Sequence, residues 1–287
     1  MADFILRAIT RSGAFRLVVA QATESVREAV LRQKMVQPVA DAFGKLMVGA
    51  AMIRSTLHTY ERFQISIKHN GAAGDLFVDT WPDGMVRGYV QDPTADPNVS
   101  GRPVVGAIGV VEVSRSRMQR DHHIYQSITE VVSGNIVDEL EMYMAESEQL
   151  PTSLRAQIVF DESGFVLWAG GVLVQVLPEA DHADLKELVK RMDECTTLYT
   201  PETTTVRDGL FRLILHNDIP FDVVAEETLV FRCNCDELRV LSSFATLQRD
   251  ELLELVNEGN SLDVTCGYCN RHYVVSPDVI RALLEPN

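Results

Sequence analysis

Four cysteines near the end of the chain have the residue type and spacing of a metal centre. They occur as two close pairs, Cys233-Asn-Cys235 and Cys266-Gly-Tyr-Cys269, with thirty residues between the pairs. Two pairs of soft thiolates brought together by folding can hold one tetrahedral Zn²⁺, with each sulfur about 2.3 Å from the ion. The same four sulfurs can instead oxidise to disulfides, so either metal binding or thiol redox chemistry is open to them.

The residues alone leave two interpretations of this cluster open. Most four-cysteine zinc sites are closed and structural, which favours a permanent zinc ribbon. The single residue between Cys233 and Cys235 departs from the commoner two-residue spacing, and a disulfide that closes so small a ring is more easily reduced than a structural one. This departure favours redox use of the thiols without deciding between the two interpretations.

Two further residues, Cys195 and His272, are candidates for thiol or metal chemistry, but a structural or surface role is expected for both. Cys195 follows Leu188 and Met192 on the apolar side of a predicted helix, so a buried, unreactive thiol is expected. His272 comes three residues after Cys269. Because four thiolates already complete a tetrahedron, this histidine is expected at the surface or outside the ligand set.

The sequence shows no pattern of a familiar catalytic site. The doublet His122-His123 has no further ligand at metal-binding spacing, and the glycine pairs at 71–74 and 106–109 neither open a helix nor continue to Lys-Ser/Thr. A catalytic triad, a paired-carboxylate site and a nucleotide fingerprint are also missing. The chain is therefore expected not to be an enzyme.

Composition argues against several partners. The chain has 287 residues, enough for two or three domains, and a formal net charge of −15. Such a charge repels phosphate backbones and anionic lipid, so neither nucleic acid nor a membrane is an expected partner.

No apolar run reaches the length of about 20 residues that a spanning helix needs, and the N-terminus lacks a signal-peptide pattern. A cytoplasmic location is expected, where clustered cysteines bind metal or act in redox chemistry before they form structural disulfides.

The elements that must position the cysteines belong to an α+β multidomain fold. Residues 1–178 alternate strand and helix patterns and predict a mixed α/β domain with an antiparallel sheet. Hairpin turns are predicted at Asn70-Gly71 and Asp83-Gly84. Strands are predicted at 15–20, 62–68, 75–79, 85–90, 106–113, 155–161 and 164–177, and helices at 38–57, which is expected to be buried, and at 135–148.

After Pro178 the sequence becomes helical and charged. Residues 179–228 predict a helical linker that depends on packing against its neighbours. Residues 229–287 predict a small C-terminal zinc-binding domain with helices at 236–244, 248–258 and 277–284. Burial alone leaves a segment of about 59 residues marginally stable, whereas a structural zinc contributes on the order of 10–16 kcal/mol. Loss of the metal is therefore expected to unfold this domain.

Sequence blocks along nearly the whole chain resemble one family. The chain is similar to the bacterial redox-regulated heat-shock holdase chaperones, the thirty-three-kilodalton heat-shock chaperonin family. Each block is weak evidence alone, but their combination and order are specific. The blocks are Gly84–Val90, Tyr125–Glu130, Glu139–Tyr143, Ser147–Pro151 and Ala169–Pro178, followed by the Cys-x-Cys and Cys-x-x-Cys pairs.

The resemblance implies a largely inactive reduced form that holds one Zn²⁺ per chain through Cys233, Cys235, Cys266 and Cys269. In the family, oxidants and unfolding conditions together expel the metal and join the cysteines within each pair, which here gives Cys233–Cys235 and Cys266–Cys269. The switch and the linker then unfold and expose apolar surface that binds unfolding, aggregation-prone client proteins without ATP. Active members tend to form homodimers. The implied domains are a client-binding and dimerisation domain at 1–178, a linker at 179–228 and a redox switch at 229–287.

Three positions depart from the family pattern without removing a ligand. Asp236 stands where the family usually has serine, Gly267-Tyr268 where it often has Glu-Phe, and Val172 where it usually has Phe.

An oxidation-activated, ATP-independent holdase is the preferred hypothesis. The runner-up is a constitutive zinc-ribbon adaptor or interaction protein with a purely structural metal. A thiol–disulfide oxidoreductase is a third hypothesis, against which the sequence around Cys266 lacks a thioredoxin-like βαβ pattern.

Overall fold

The chain divides into two compact units, Met1–Arg232 and Cys233–Asn287. Its computed structural model describes residues 2–117, 124–178, 180, 182–216, 218–244 and 247–284. The predicted linker, 179–228, falls within the first unit. The division into three domains stays a prediction, and the doublet His122-His123 lies outside the described residues.

The first unit contains two β-sheets, where the sequence predicted one. The strands of the first sheet are β1 (Phe4–Thr10), β2 (Phe15–Gln21), β8 (Thr152–Phe160), β9 (Val166–Val176) and β10 (Phe221–Thr228). They pair antiparallel in the order β10-β1-β2-β9-β8. The strands of the second sheet are β3 (Glu61–His69), β4 (Leu76–Thr80), β5 (Met85–Val90), β6 (Gly109–Arg117), β7 (Ile124–Glu130) and the short β11 (Val230–Phe231). Their order is β11-β5-β4-β3-β6-β7, and β11 is parallel to β5.

A long helix packs against both sheets and forms the centre of the main core. This helix, α2 (Gln37–Thr56), buries 15 of its 20 residues, which confirms the prediction of a buried helix at 38–57. The core joins its Phe43 and Met52 to Val18 of the first sheet and Ile65 of the second. The remaining helices that precede β9 are α1 (Thr23–Gln33), α3 (Pro97–Ser100) and α4 (Ile136–Glu146).

All seven predicted strands are present, the one at 85–90 with the predicted bounds and the other six with shifted ends, whereas β1, β7, β10 and α1 were not predicted. The predicted turn between β4 and β5 is confirmed, since Gly84 has a φ of +78° that favours glycine. The hairpin predicted at Asn70-Gly71 is present, since β3 and β4 pair antiparallel, but its connection is longer than a two-residue turn and spans residues 70–75. Gly71 instead permits a close backbone approach, since a Cβ there would lie 2.4 Å from the backbone nitrogen of Gly106.

The segment predicted as a linker covers one face of the first sheet. It forms α5 (His182–Glu194), α6 (Pro201–Thr205) and α7 (Gly209–Leu215), and then β10, which pairs with β1 along its length. A second hydrophobic core results between these helices and the sheet. Its buried members from the segment are Leu188, Met192, Leu198, Leu210, Phe211, Ile214 and Leu215, and those from the sheet are Phe4, Leu6, Ala8, Phe15, Leu17, Val19, Trp168, Val172 and Val174.

The second unit is small and has a correspondingly small core. It consists of α8 (Glu237–Phe244), α9 (Arg249–Glu258), a hairpin of β12 (Leu262–Thr265) and β13 (His272–Val275), and α10 (Pro277–Leu284). The three predicted helices are therefore confirmed, and Gly259 ends α9 in the left-handed conformation as a helix-stop glycine does. The buried apolar residues of its core are Phe244, Leu252, Val275 and Ile280.

Candidate metal centre

The first cysteine pair lies on the segment between β11 and α8, which has no regular secondary structure. Asp236 closes this segment, and its side chain accepts a hydrogen bond of 2.8 Å from the backbone N–H of Arg239. This contact is a helix N-cap, a role in which aspartate and serine are nearly equivalent. The departure at Asp236 from the family's usual serine therefore preserves the start of the helix that follows Cys233 and Cys235.

The second cysteine pair lies in the turn of the β12–β13 hairpin. The Cys266 N–H donates to the carbonyl oxygen of Arg271 at 2.9 Å, and the Asn270 N–H donates to the Cys266 carbonyl at 2.9 Å. Asn270 has a φ of +55°, a conformation that asparagine tolerates better than most residues. Asn270 thus supplies the left-handed backbone conformation of this turn, and Gly267 does not adopt it.

Folding brings the four thiols together. The four Sγ atoms all lie within 4.8 Å of one another, and the contacts include Cys233 to Cys266 at 3.7 Å and Cys235 to Cys269 at 3.3 Å. An ion bound tetrahedrally at about 2.3 Å separates its sulfur ligands by about 3.8 Å. All five cysteines of the chain lie among the described residues and are reduced thiols.

The electrostatics of the cluster also favour a bound cation. Burial, together with the neighbouring sulfurs, raises the pKa of the thiols of Cys233 and Cys269. Burial also opposes ionisation of Cys235, but the Tyr273 hydroxyl and the other three thiols outweigh it and lower its pKa to about 7. Four thiolates so close together repel one another, and a divalent cation removes that repulsion.

Among the described residues, the donor set of this cluster contains sulfur alone. The predicted exclusion of His272 from the ligands agrees with its position, because its ring Nδ1 is hydrogen-bonded to the Thr265 hydroxyl at 3.0 Å and the residue is exposed. Four nearby cysteines can hold a metal ion, and a four-sulfur tetrahedral set is typical of zinc or of an iron–sulfur centre. The residues present therefore fit the predicted metal.

Cys195 lies apart from this centre, in the first unit. It is partly exposed, where the sequence predicted a buried residue, and it sits at the margin of the second hydrophobic core. Its thiol donates to the Thr197 carbonyl oxygen at 3.3 Å, and partial burial raises the thiol pKa. A raised pKa lowers thiolate content and reactivity, in line with the expectation of an unreactive thiol.

A two-sheet α/β unit followed by a small four-cysteine unit defines the class of this protein as a multidomain α+β protein with a cysteine cluster that can hold a metal ion. The sequence pattern of the family described as Hsp33 protein matches residues 3–276. The chain therefore belongs to the Hsp33 family. The similarity extends over almost the full length of both this chain and its relatives, as two of them show.

The 33 kDa chaperonin of Syntrophotalea carbinolica is 31% identical over 99% of this chain and 100% of its own length. The 33 kDa chaperonin of a Picosynechococcus species is 32% identical over 99% of this chain and 98% of its own. The crystal structure of the 33 kDa chaperonin of Thermotoga maritima matches with a TM-score of 0.83 at 23% identity, covering 99% of this chain and 98% of that one. That structural likeness supports the fold described above.

None of the helices in the described part of the chain has both the length and the apolar character that a membrane span requires.

Proposed function

We propose that this Hsp33-family protein is an ATP-independent holdase chaperone that oxidation switches on. The name chaperonin carried by its relatives supports a chaperone role, and the four-sulfur cluster supports a redox switch. The observation that carries the proposal is the placement of this cluster in a unit with a core of only a few buried apolar residues. Such a unit needs the metal centre for its stability.

In the reduced state, Cys233, Cys235, Cys266 and Cys269 would hold one Zn²⁺ per chain. The ion supplies a structural cross-link between the segment before α8 and the β12–β13 hairpin when it is bound. The two segments are otherwise joined by the small core around Phe244.

Oxidation converts the ligands to disulfides. Four thiolates lose four electrons and form two S–S bonds, while two molecules of hydrogen peroxide take up these electrons and four protons and become four waters. Disulfide sulfurs no longer serve as thiolate ligands, so the second unit loses its cross-link and unfolds. The bonds proposed are Cys233–Cys235 and Cys266–Cys269.

The segment 179–228 supplies the apolar surface in this proposal. Its helices contribute Leu188, Phe211 and Ile214 to a core on the face of the first sheet that includes Leu17 and Val172. Unfolding of the segment exposes both sides of this core, and unfolding client proteins bind to the exposed surface through the hydrophobic effect. Pairing of two active chains into a homodimer and action in the cytoplasm belong to the same proposal.

Light scattering from a heat-unfolded client protein tests the proposal. Zinc-loaded reduced protein is compared with protein treated with peroxide at mildly elevated temperature, and released zinc is measured in the same samples. We expect suppression of aggregation only after oxidation, with about one zinc released per chain. Zinc that resists peroxide, with no client protection in either state, would favour a structural zinc-ribbon adaptor instead. Catalytic turnover of a model disulfide would favour an oxidoreductase.

A further inference from the structure

A charged cleft of 510 Å³ lies in the first unit. It opens where β1 and β2 of the first sheet approach the residues after α2 and the strands β3 and β6 of the second sheet. Three arginines line it, Arg7 and Arg16 from the first sheet and Arg115 from the second. The carboxylates that line it are those of Glu61 and Glu148.

Both carboxylates of the cleft are already engaged. Glu148 accepts hydrogen bonds from Arg115 at 2.6 and 2.7 Å and from the Tyr143 hydroxyl at 2.5 Å. Glu61 is shared between Arg115, at 3.7 Å, and Arg117, at 3.4 Å. The acidic groups of the cleft are therefore neutralised by arginines other than Arg16.

Arg16 is the cation without an acidic partner. Among the described residues, no carboxylate oxygen lies within 4.0 Å of its guanidinium group, whose hydrogen bond goes to the neutral amide oxygen of Gln175 at 3.3 Å. It belongs to a protein with a net charge of −15, in which acidic side chains are abundant. Arg7 is paired with Glu227 at 3.2 Å and Arg115 with Glu148 at 2.6 Å, so Arg16 is, among the described arginines that line the cleft, the one without a carboxylate partner.

Some hydrogen-bond donors of the arginines that line the cleft, and of the Gln175 that contacts Arg16, have no acceptor. The Nε atoms of Arg7 and Arg115 and the Nε2 atom of Gln175 are buried without a hydrogen-bond partner in the described part of the chain. Gln175 is itself 1% exposed. All three atoms are donors, and Arg115 Nε still lies 3.7 Å from a Glu61 carboxylate oxygen. The donors left without any acceptor are therefore those of Arg7 and Gln175, so hydrogen-bond acceptors are in short supply in this region.

We infer that the cleft is a binding site for a small organic oxyanion, a phosphate monoester or a carboxylate, with Arg16 as its main contact. The guanidinium fork matches carboxylate and phosphate oxygens in two parallel hydrogen bonds. Leu57, Leu150 and Val224 also line the cleft, so an apolar body attached to the charged head group has surface to contact. This site is independent of the metal centre and of the proposed holdase activity.

Calorimetric titration of the full-length, zinc-loaded, reduced protein at constant ionic strength tests the inference. The probes are phenyl phosphate and benzoate, which share an aromatic body and differ in the head group, and benzyl alcohol, which has no charge. We expect saturable 1:1 binding of at least one of the two anions and none of the alcohol. A preference for phenyl phosphate identifies a phosphate site, and a preference for benzoate identifies a carboxylate site.

Substitutions at Arg16 locate the site. Arg16→Gln is expected to weaken binding at least tenfold, and Arg16→Lys, which keeps the charge but loses the fork, is expected to retain an intermediate affinity. Arg102→Gln is the matched control, because Arg102 is exposed and contacts Asn70 beyond the opposite end of β3. The inference is overturned if neither anion binds saturably, if benzyl alcohol binds as well as the anions, or if both Arg16 variants bind as the wild type does.

Discussion

The Sγ atom of Cys235 lies 3.3 Å from the Sγ atom of Cys269, although 34 positions separate the two residues in the chain. Cys233 contacts Cys266 in the same way across 33 positions. The folded cluster therefore joins the segment before α8 to the β12–β13 hairpin, and the sulfurs of each sequence pair reach across to the other pair. Which disulfides form on oxidation depends on whether this fold persists while the thiols react.

The first prediction concerns the disulfides. Once the second unit unfolds, closing a loop of 33 or 34 residues costs more chain entropy than joining cysteines two or three positions apart. Peroxide at mildly elevated temperature is therefore expected to give Cys233–Cys235 and Cys266–Cys269, with Cys195 still a thiol. Peptide mapping by mass spectrometry under non-reducing conditions checks this pairing. Bonds between Cys235 and Cys269 as the main product would contradict it.

The second prediction concerns the metal ligands. Cys266→Ser removes one of four soft donors, so zinc affinity is expected to fall by about 100-fold or more, since even outer-shell changes cost 10–100-fold. The second unit is expected to become sensitive to protease in the presence of reductant. Competition with a chromogenic chelator measures the affinity. Cys195→Ser is the control that should leave both properties unchanged, and tight zinc retention in Cys266→Ser would argue against the four-thiolate site.

The third prediction concerns the helix cap beside the first cysteine pair. Asp236→Ala removes the acceptor for the Arg239 N–H and is expected to cost about 1 kcal/mol of stability in the second unit. Asp236→Ser, which restores the residue usual in the family, should keep the cap. Protease resistance of the second unit under limiting zinc compares the variants. Equal resistance of the alanine and serine variants would show that the cap does not matter.

The fourth prediction concerns the attachment of β10. Glu227 on this strand forms ion pairs with Arg7, at 3.2 Å, and with the almost completely buried Arg54 of α2. Glu227→Gln leaves the charge of Arg54 without its carboxylate, which typically costs about 3–5 kcal/mol for a buried pair. We expect a lower urea midpoint of the first unit and client protection at a lower dose of peroxide.

A matched variant on the same strand controls for this experiment. Asp222→Asn also removes a carboxylate from β10, but its ion pair with Arg11 is more than 60% exposed on both sides and is worth less than about 1 kcal/mol. Fluorescence of Trp81 and Trp168, the two tryptophans of the chain, follows unfolding of the first unit. If the two variants shift the urea midpoint equally, the buried Glu227–Arg54 pair stabilises the first unit no more than the exposed Asp222–Arg11 pair does.

The fifth prediction concerns pH. Burial lowers the pKa of His69, although Asp75 acts in the opposite direction. The Nδ1 atom of His69 accepts hydrogen bonds from the N–H groups of Gly71 and Gly106, at 2.9 and 3.3 Å, and its Nε2 atom is buried. The unfolded chain therefore binds this proton more readily than the folded chain. Stability is present in full above the unfolded pKa of about 6.5 and is lost as pH falls toward the folded pKa.

Urea unfolding of the first unit between pH 7.5 and 5.5 checks this dependence. His69→Asn keeps an acceptor near the position of Nδ1 and is expected to flatten the decline in stability. His58→Asn, at an exposed position, should leave the decline as in the wild type. If stability falls with pH in the His69 variant as it does in the wild type, groups other than His69 cause the pH dependence.

Much of the fold could be predicted from the sequence where the signal is local. The apolar composition of α2 dictated a buried helix, the alternation of Phe63, Ile65 and Ile67 with polar residues dictated β3, and Gly259 marked the end of α9. These signals are carried by residues within a few positions of one another. The spacing of the cysteine pairs likewise identified all four members of the cluster that folding assembles.

The tertiary structure decided what depends on distant partners. The strand β10 was missed because its residues are mostly exposed and lack strict alternation, and it is held by pairing with β1 at the other end of the first unit. The cleft around Arg16 exists only because two sheets and the end of α2 meet there. The sequence by itself determined which atoms can bind a metal, since chemistry and short spacing are written in the residues. Only the tertiary structure decided which strands pair and which charges stay unpaired, because those outcomes come from competition among all the surfaces of the chain.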